Sequence, residues 1–249
     1  MNIKTALVLG ASGGTGKHLV AQLLGQDFEV RAIVRSKERF LNLIPNKSNI
    51  KTNKLSVIEG TVLDMSEEEL EKSMEGCGII FSCLGHNLTM KGVYGKPRRL
   101  VKDSIERICM MIKKNFQPSS SKSKLIVMGT NGAANPDGSD NKRTFKDRML
   151  VSLIRNLVPP HADNEKTAEY LSNVIGKNDP NIEWIIVRPD DLIDGEKSAY
   201  KVFSKPYGTL FSAGETTRAN VADFMSCLIM NDEKWKEWVY QMPMPQNIK

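Results

Sequence analysis

An apolar run, residues 4–9, passes directly into Gly10-Ala11-Ser12-Gly13-Gly14-Thr15-Gly16. In the stretch after it, residues 15–25, Leu19, Val20, Leu23 and Leu24 recur at helical spacing. Few folds accommodate that order. A run of apolar residues without alternation is a strand covered on both faces. Small residues throughout the turn let a helix begin hard against the sheet. The GxxGxxG spacing lets backbone N–H groups approach a pyrophosphate, and the helix start adds unpaired donors and a partial positive charge. In this strand–loop–helix setting the loop predicts a dinucleotide site built from Gly10, Ser12, Gly13, Gly14, Thr15 and Gly16.

The rest of the chain keeps alternating short β-rich runs with longer amphipathic stretches, the signature of parallel strands joined by crossover helices. Strands are expected at 28–34, 55–59, 78–82, 124–128 and 182–187. Helices are expected at 37–43, 66–74 (Ser66 with Glu69 as a capping box), 100–116, 144–157, 163–175 and 219–230. Val158-Pro159-Pro160 separates two of them, since a helix interior does not tolerate proline. An edge pairing is expected at 199–203 and a last strand at 235–240. The reading is one α/β domain over residues 1–249. It is a Rossmann-type doubly wound parallel sheet with helices on both faces and a small C-terminal substrate-binding portion. Residues 131–160 and 190–217 are expected as substrate loops.

Composition narrows the partners. Hydrophobic residues make up 40% and charged residues 26%, a globular balance. No stretch reaches about 18 uninterrupted apolar residues, so no membrane span is expected. The opening residues run straight into a strand without a cleavage site, so a signal peptide is not expected and the site of action is read as cytoplasmic. A net charge of +6 favours anionic small molecules, and 6% aromatics leave no stacking platform for nucleic acid. Cys77, Cys83, Cys109 and Cys227 form no CxxC pair, and with His18, His86 and His161 scattered no metal site is expected.

Strand two ends in Ile33-Val34-Arg35-Ser36-Lys37. A site preferring NAD places Asp or Glu there for the ribose hydroxyl. Here Arg35 holds the position, and an arginine pairs with a 2′-phosphate and stacks on adenine. The expected cofactor is NADP(H) in preference to NAD(H); the plain alternative is an exposed loop arginine.

Five landmarks in order carry a resemblance to the atypical short-chain dehydrogenases/reductases of the NmrA-like NAD(P)H-binding group. They are the glycine loop, Val34-Arg35, Gly60-Thr61-Val62-Leu63-Asp64, Val187-Arg188-Pro189, and Thr217-Arg218-Ala219-Asn220-Val221-Ala222-Asp223. The resemblance implies that Asp64 bonds the adenine amino group with Leu63 beside the ring. It implies that Cys83-Leu84-Gly85 runs along the ribose and pyrophosphate, that Thr130 stands where this fold brings its catalytic Ser or Thr, and that Arg188, Pro189 and Leu192 border the nicotinamide.

The departures bear on activity. Catalytic members use Tyr-x-x-x-Lys to pass a proton to a carbonyl. None of Tyr94, Tyr170, Tyr200, Tyr207 and Tyr240 has a Lys four residues later. Near the family's active-site helix, Glu165 or Lys166 falls by the Lys position and His161 stands closest to the missing Tyr. Lys166 reads as a ligand of the nicotinamide ribose or an exposed helix lysine. Thr130 reads as a hydrogen bond to a substrate carbonyl or a turn cap, and His86 as a proton donor or a solvated loop histidine. The acid-free run 91–102, with Lys91, Lys96, Arg98, Arg99 and Lys102, reads as a solvated face or as a seat for an anionic substrate or cofactor phosphate. Two functions stay open. One is an NADPH-dependent reductase of a small, anionic or aromatic conjugated or carbonyl acceptor such as a flavin or quinone. The other is a non-catalytic NADP(H) sensor that reports to a protein partner.

Overall fold

The computed structural model describes residues 5–45, 51–86, 95–115, 121–140, 159–206 and 214–248. Six strands, β1 (Thr5–Leu9), β2 (Glu29–Val34), β3 (Leu55–Glu59), β4 (Ile79–Ser82), β5 (Ser123–Met128) and β6 (Ile182–Val187), form one sheet in the order β3-β2-β1-β4-β5-β6. Every pairing is parallel. The strand order reverses between β1 and β4, and open α/β sheets bind ligands just beyond the carboxyl ends of the strands at such a point.

The unbroken apolar runs have a physical reason. Ala6 and Val8 of β1 belong to one buried cluster and Leu7 and Leu9 to the other, so alternate side chains serve opposite faces. On the first face lie α1 (Gly14–Gly25) and α6 (Arg218–Met230), contributing Leu19, Val20 and Leu23 and then Val221, Phe224 and Leu228. The second face is covered by α3 (Glu67–Met74), α4 (Leu100–Lys114) and α5 (Pro159–Glu169), through Leu70, Val101, Ile105, Ile108 and Ala168. Each fully buried leucine or isoleucine contributes about 1.5–3 kcal/mol of transfer free energy. Two caps follow sequence logic: Ser66 and Glu69 form the capping box of α3, and Ser36 accepts from Arg39 N at the start of α2 (Lys37–Leu43). Among the described residues no helix is long and apolar enough to cross a membrane.

Three expectations are corrected. Residues 235–240 are not a strand. Asn231 accepts from Glu233 N and Lys234 N to start α7 (Asp232–Trp238), and buried Trp235 and Trp238 share one helical face. Aromatic content favours a strand locally; the cap and the three-residue spacing decide for helix. The helix expected from residue 163 begins earlier, with the prolines at 159 and 160 opening α5, where a missing N–H costs nothing. That helix runs only to Glu169, then widens into a π-turn over Tyr170–Ile175. Residues 190–217, expected as a substrate loop with an edge pairing at 199–203, hold β7 (Asp191–Ile193) and β9 (Glu215–Thr217) as well as β8 (Tyr200–Phe203), which is the expected edge pairing. Strand β7 pairs parallel with β9, and β8 pairs antiparallel with β10 (Met244–Asn247). The helix expected at 144–157 lies outside the described residues, as does Lys91.

Candidate functional site

At the carboxyl end of β1 the chain turns at Gly10, whose φ is +70°, and Gly13 N donates to Gly10 O at 2.9 Å. Because Cys83 N donates to Leu9 O, the loop after β4 passes against this turn; a Cβ on Gly10 would sit 2.6 Å from Cys83 O. A Cβ on Gly16 would collide with the Gly10 carbonyl. Only glycine permits both approaches, so the floor of the crevice is bare backbone.

The helix ends differ in a way that matters. Side chains cap α2 (Ser36), α3 (Ser66), α6 (Thr217) and α7 (Asn231). The amino end of α4 is capped from a distance, since Asp163 accepts from Val101 N at 2.8 Å and from Lys102 N at 3.0 Å. Helix α1 begins at Gly13 with no side-chain cap and no acid in its first turn. The N–H groups of Gly14, Thr15 and Gly16 have no partner four residues back and no carboxylate competing for them. This donor set over a glycine floor fits an anionic diphosphate.

Beyond β2, Arg35 is exposed and has no ion-pair partner among the described residues. Gly60 N donates to Val34 O at 2.8 Å, which ties the residues after β3 to the same edge. There Asp64 is exposed, accepting from Thr61 Oγ1 at 2.6 Å, with Leu63 half-buried beside it. Arg35, Leu63 and Asp64 therefore share one rim of the crevice.

The opposite rim is richer than the sequence suggests. Cys83 is buried, and burial pushes its thiol up to about 12; Leu84 is half-buried and Gly85 exposed. Beyond it, His86 Nε2 lies 2.8 Å from Asp163 Oδ2, both side chains almost inaccessible to solvent. Thr130 Oγ1 accepts from Gly132 N at 3.3 Å, and Asn131 Nδ2 donates to Asp190 at 2.6 Å. Burial raises the Asp190 carboxyl above its ordinary range. His161 lies over Gly132, where a Cβ would meet its ring at 2.8 Å, with its Nε2 3.5 Å from Glu165.

Arg188 is fully buried. Its guanidinium takes both oxygens of Asp140, at 2.7 and 3.0 Å, while Nη1 and Nε donate to Ala133 O and Met242 O. Position 188 thus offers a ligand backbone rather than charge. Arg98, Arg99, Pro159, Ala162, Asp163 and Lys166 line a cleft of about 290 Å³ between the start of α4 and the first turns of α5. Arg98 and Lys166 have no carboxylate partner among the described residues, and Arg99 reaches Asp103 only at 3.9 Å.

The structure therefore brings the glycine loop, the residues after β4 and Arg35 with Asp64 to the carboxyl edge of one sheet. It also joins Lys166 to the basic run in a single cleft. Sequence reasoning missed Asp163, whose contact with His86 spans 77 positions and has no local signal. The spacing of His161 and Glu165, four apart on a helix, was readable.

Comparison with known proteins agrees with this geometry. Residues 10–232 match the model of a family described as NAD(P)H-binding. Averufin oxidase A of Aspergillus flavus is 26% identical over 208 residues, covering 80% of this chain and 70% of that protein. The crystal structure of the oxidoreductase ylbE from Lactococcus lactis superposes with a TM-score of 0.67 at 19% identity, covering 98% of this chain and 91% of that one. Yeast methylglyoxal/isovaleraldehyde reductase Gre2, solved with NADPH, gives a TM-score of 0.65 at 15% identity over 96% of this chain and 76% of its own. With its parallel six-stranded sheet and glycine cradle, and with the family model matched over residues 10–232, the chain belongs to the NAD(P)H-binding family.

Proposed function

We propose that the chain is an NADP(H)-dependent oxidoreductase that passes a hydride to a small conjugated or carbonyl acceptor, of the flavin or quinone kind. One observation carries this reading: the uncapped amino end of α1 over a floor that admits no side chain. Gly10 and Ser12 to Gly16 would hold the diphosphate, and Arg35 the 2′-phosphate. Leu63 and Asp64 would take the adenine, and the backbone at Cys83, Leu84 and Gly85 would follow the ribose. Lys166, Thr130 and the backbone at Arg188 and Pro189 would border the nicotinamide. When bound, the reduced nicotinamide supplies the hydride.

The protein's own proton chemistry is spare. Tyr170 has its hydroxyl pushed above the ordinary tyrosine range by burial, with Cys109 and Glu106 nearby pushing it the same way. Tyr200 is raised by burial and by its hydrogen bond to Asp223. An acid catalyst working near neutral pH needs the opposite shift. The reading therefore favours acceptors whose reduced product takes its proton from water. The cleft of Arg98, Arg99 and Lys166 supports an acceptor bearing an anionic group, which these cations would hold against the apolar sides of Pro159 and Ala162.

The second reading, a non-catalytic NADP(H) sensor with a protein partner, is favoured by the same raised Tyr170 and Tyr200 hydroxyls among the described residues. Stopped-flow oxidation of bound NADPH by flavin, quinone and carbonyl acceptors separates the two. Turnover with at least one conjugated acceptor is expected. Tight binding with no hydride transfer to any acceptor would leave the sensor in its place.

A further inference from the structure

Helix α6 rests on α1, with Gln22 Nε2 donating to Ala219 O at 3.1 Å, so the first residue of α6 stands beside the glycine loop. That residue is Arg218. A Cβ on Gly14 would lie 2.6 Å from its Cδ and 2.7 Å from its Nε, so the arginine stem lies flat on the bare Gly14 backbone. Among the described residues the guanidinium end is held by one hydrogen bond: Nη1 donates to Asp194 Oδ1 at 2.9 Å. Asp194 follows β7 and Arg218 follows β9, and these strands pair in register at Ile193 and Thr217, so the two side chains leave the same end of one small ladder.

The pair is lopsided. Asp194 is 85% exposed and Arg218 27%. An exposed carboxylate keeps most of its hydration and is screened by salt, so it holds an arginine weakly. Immediately beside that arginine lie the Gly14, Thr15 and Gly16 N–H groups of α1, which have no partner among the described residues. Lys17, Asp194, Glu196 and Arg218 all lie close enough to His18 to act on its charge. A diphosphate on those amides would lie within reach of the guanidinium. It would offer paired anionic oxygens in the planar geometry that arginine matches in bidentate fashion.

We infer that Arg218 is a diphosphate ligand of the cofactor, and that Asp194 holds its guanidinium in place until the anion arrives. The inference rests on the reading of the glycine loop given above and adds a residue to it from the far end of the chain. Binding would exchange one partner for another: the Arg218–Asp194 ion pair opens and the guanidinium closes on phosphate oxygens, with no change of protonation. Asp194 then acts as a competitor of the cofactor, setting its affinity without touching it.

The test is calorimetric titration of ADP-ribose, which has the diphosphate but no nicotinamide, and of NADPH into the wild type and three variants. Arg218→Gln is expected to weaken both ligands about tenfold or more. Its affinity should also fall less steeply as salt is raised, because one charge pair is gone. Arg218→Lys should fall between, keeping the charge but losing the fork. Asp194→Asn should bind both ligands at least as tightly as wild type, because the competitor is gone. An Arg218→Gln protein that binds both within about twofold of wild type, with the same salt dependence, overturns the role of Arg218 alone. Loss of affinity in Asp194→Asn as large as in Arg218→Gln overturns the exchange and makes the pair a structural tie. Should Arg218→Gln not fold, Arg218→Lys and Asp194→Asn give opposite expected signs and still decide. Failure of the wild type to bind either ligand overturns this inference together with the reading beneath it.

Discussion

Nε2 of His86 lies 2.8 Å from Oδ2 of Asp163, and the same carboxylate accepts the Val101 and Lys102 N–H groups that begin α4. One buried side chain on α5 thus fixes the loop after β4 and the amino end of a helix that starts about 62 positions earlier in the sequence. It also lines the cleft together with Lys166 and Arg98.

Asp163→Ala removes a helix cap and the hydrogen-bond partner of His86 at once. Stability is expected to fall by about 2–4 kcal/mol, since buried donors are left unsatisfied. Urea unfolding measures it; a change within about 0.5 kcal/mol would mean these contacts are replaceable by water.

In the proposed reading Arg35 sets the preference for NADP(H), because the chain leaves β2 through Arg35-Ser36-Lys37 and no carboxylate pairs with Arg35 among the described residues. Arg35→Glu is expected to weaken NADPH about 10–100-fold, through loss of a charge-assisted bond and gain of repulsion. NADH binding should change by about twofold or less. The ratio of the two dissociation constants is the readout, and an unchanged ratio would remove Arg35 from the 2′-phosphate site.

Much of this arrangement was legible in the sequence, for identifiable reasons. The sheet and its switch point follow from apolar runs buried on two faces, and the cradle from glycines at the one turn where backbone must approach backbone. Both are local signals. The His86–Asp163 and Arg188–Asp140 pairs are not, because each joins residues 48 or more positions apart that nothing in their neighbourhoods marks as partners. Trp235 and Trp238 show local preference yielding to context: two aromatics read as strand, yet Asn231 starts a helix that buries both. Arg218 stood in a motif recognised by resemblance, but its position over Gly14 depends on how α6 packs on α1.

The thiols give a pH prediction with a definite sign. Burial raises Cys83 and Cys109 to about 12 and Cys77 to about 11, from 9.0. Above pH 9 the unfolded chain releases these protons while the folded chain keeps them, so stability falls as pH rises from about 9 to 12. Every tenfold by which folding tightens a thiol's hold on its proton is worth about 1.4 kcal/mol, so the loss should be several kcal/mol by about pH 12. Thermal unfolding across that range should show it. In native protein at about pH 8, a disulfide reagent should label only half-buried Cys227, and slowly, with all four thiols reacting after denaturation. Rapid native labelling of Cys83 would contradict its burial.

Arg98→Gln combined with Lys166→Gln removes two of the cleft's three basic side chains. The KM for a carboxylate-bearing acceptor is expected to rise about tenfold or more, while a neutral analogue shifts by about twofold or less. Equal effects on both analogues would place the acceptor elsewhere.

Cofactor and chemistry alike depend on the uncapped amino end of α1 holding a dinucleotide diphosphate. Thermal unfolding with NADPH, NADP and NADH in separate titrations reads that binding without needing any acceptor. With ligand near a hundredfold above its dissociation constant, the melting temperature should rise by about 5–10 °C, more for NADPH than for NADH at equal concentration. A melting temperature unchanged by all three would mean that the glycine cradle binds no dinucleotide.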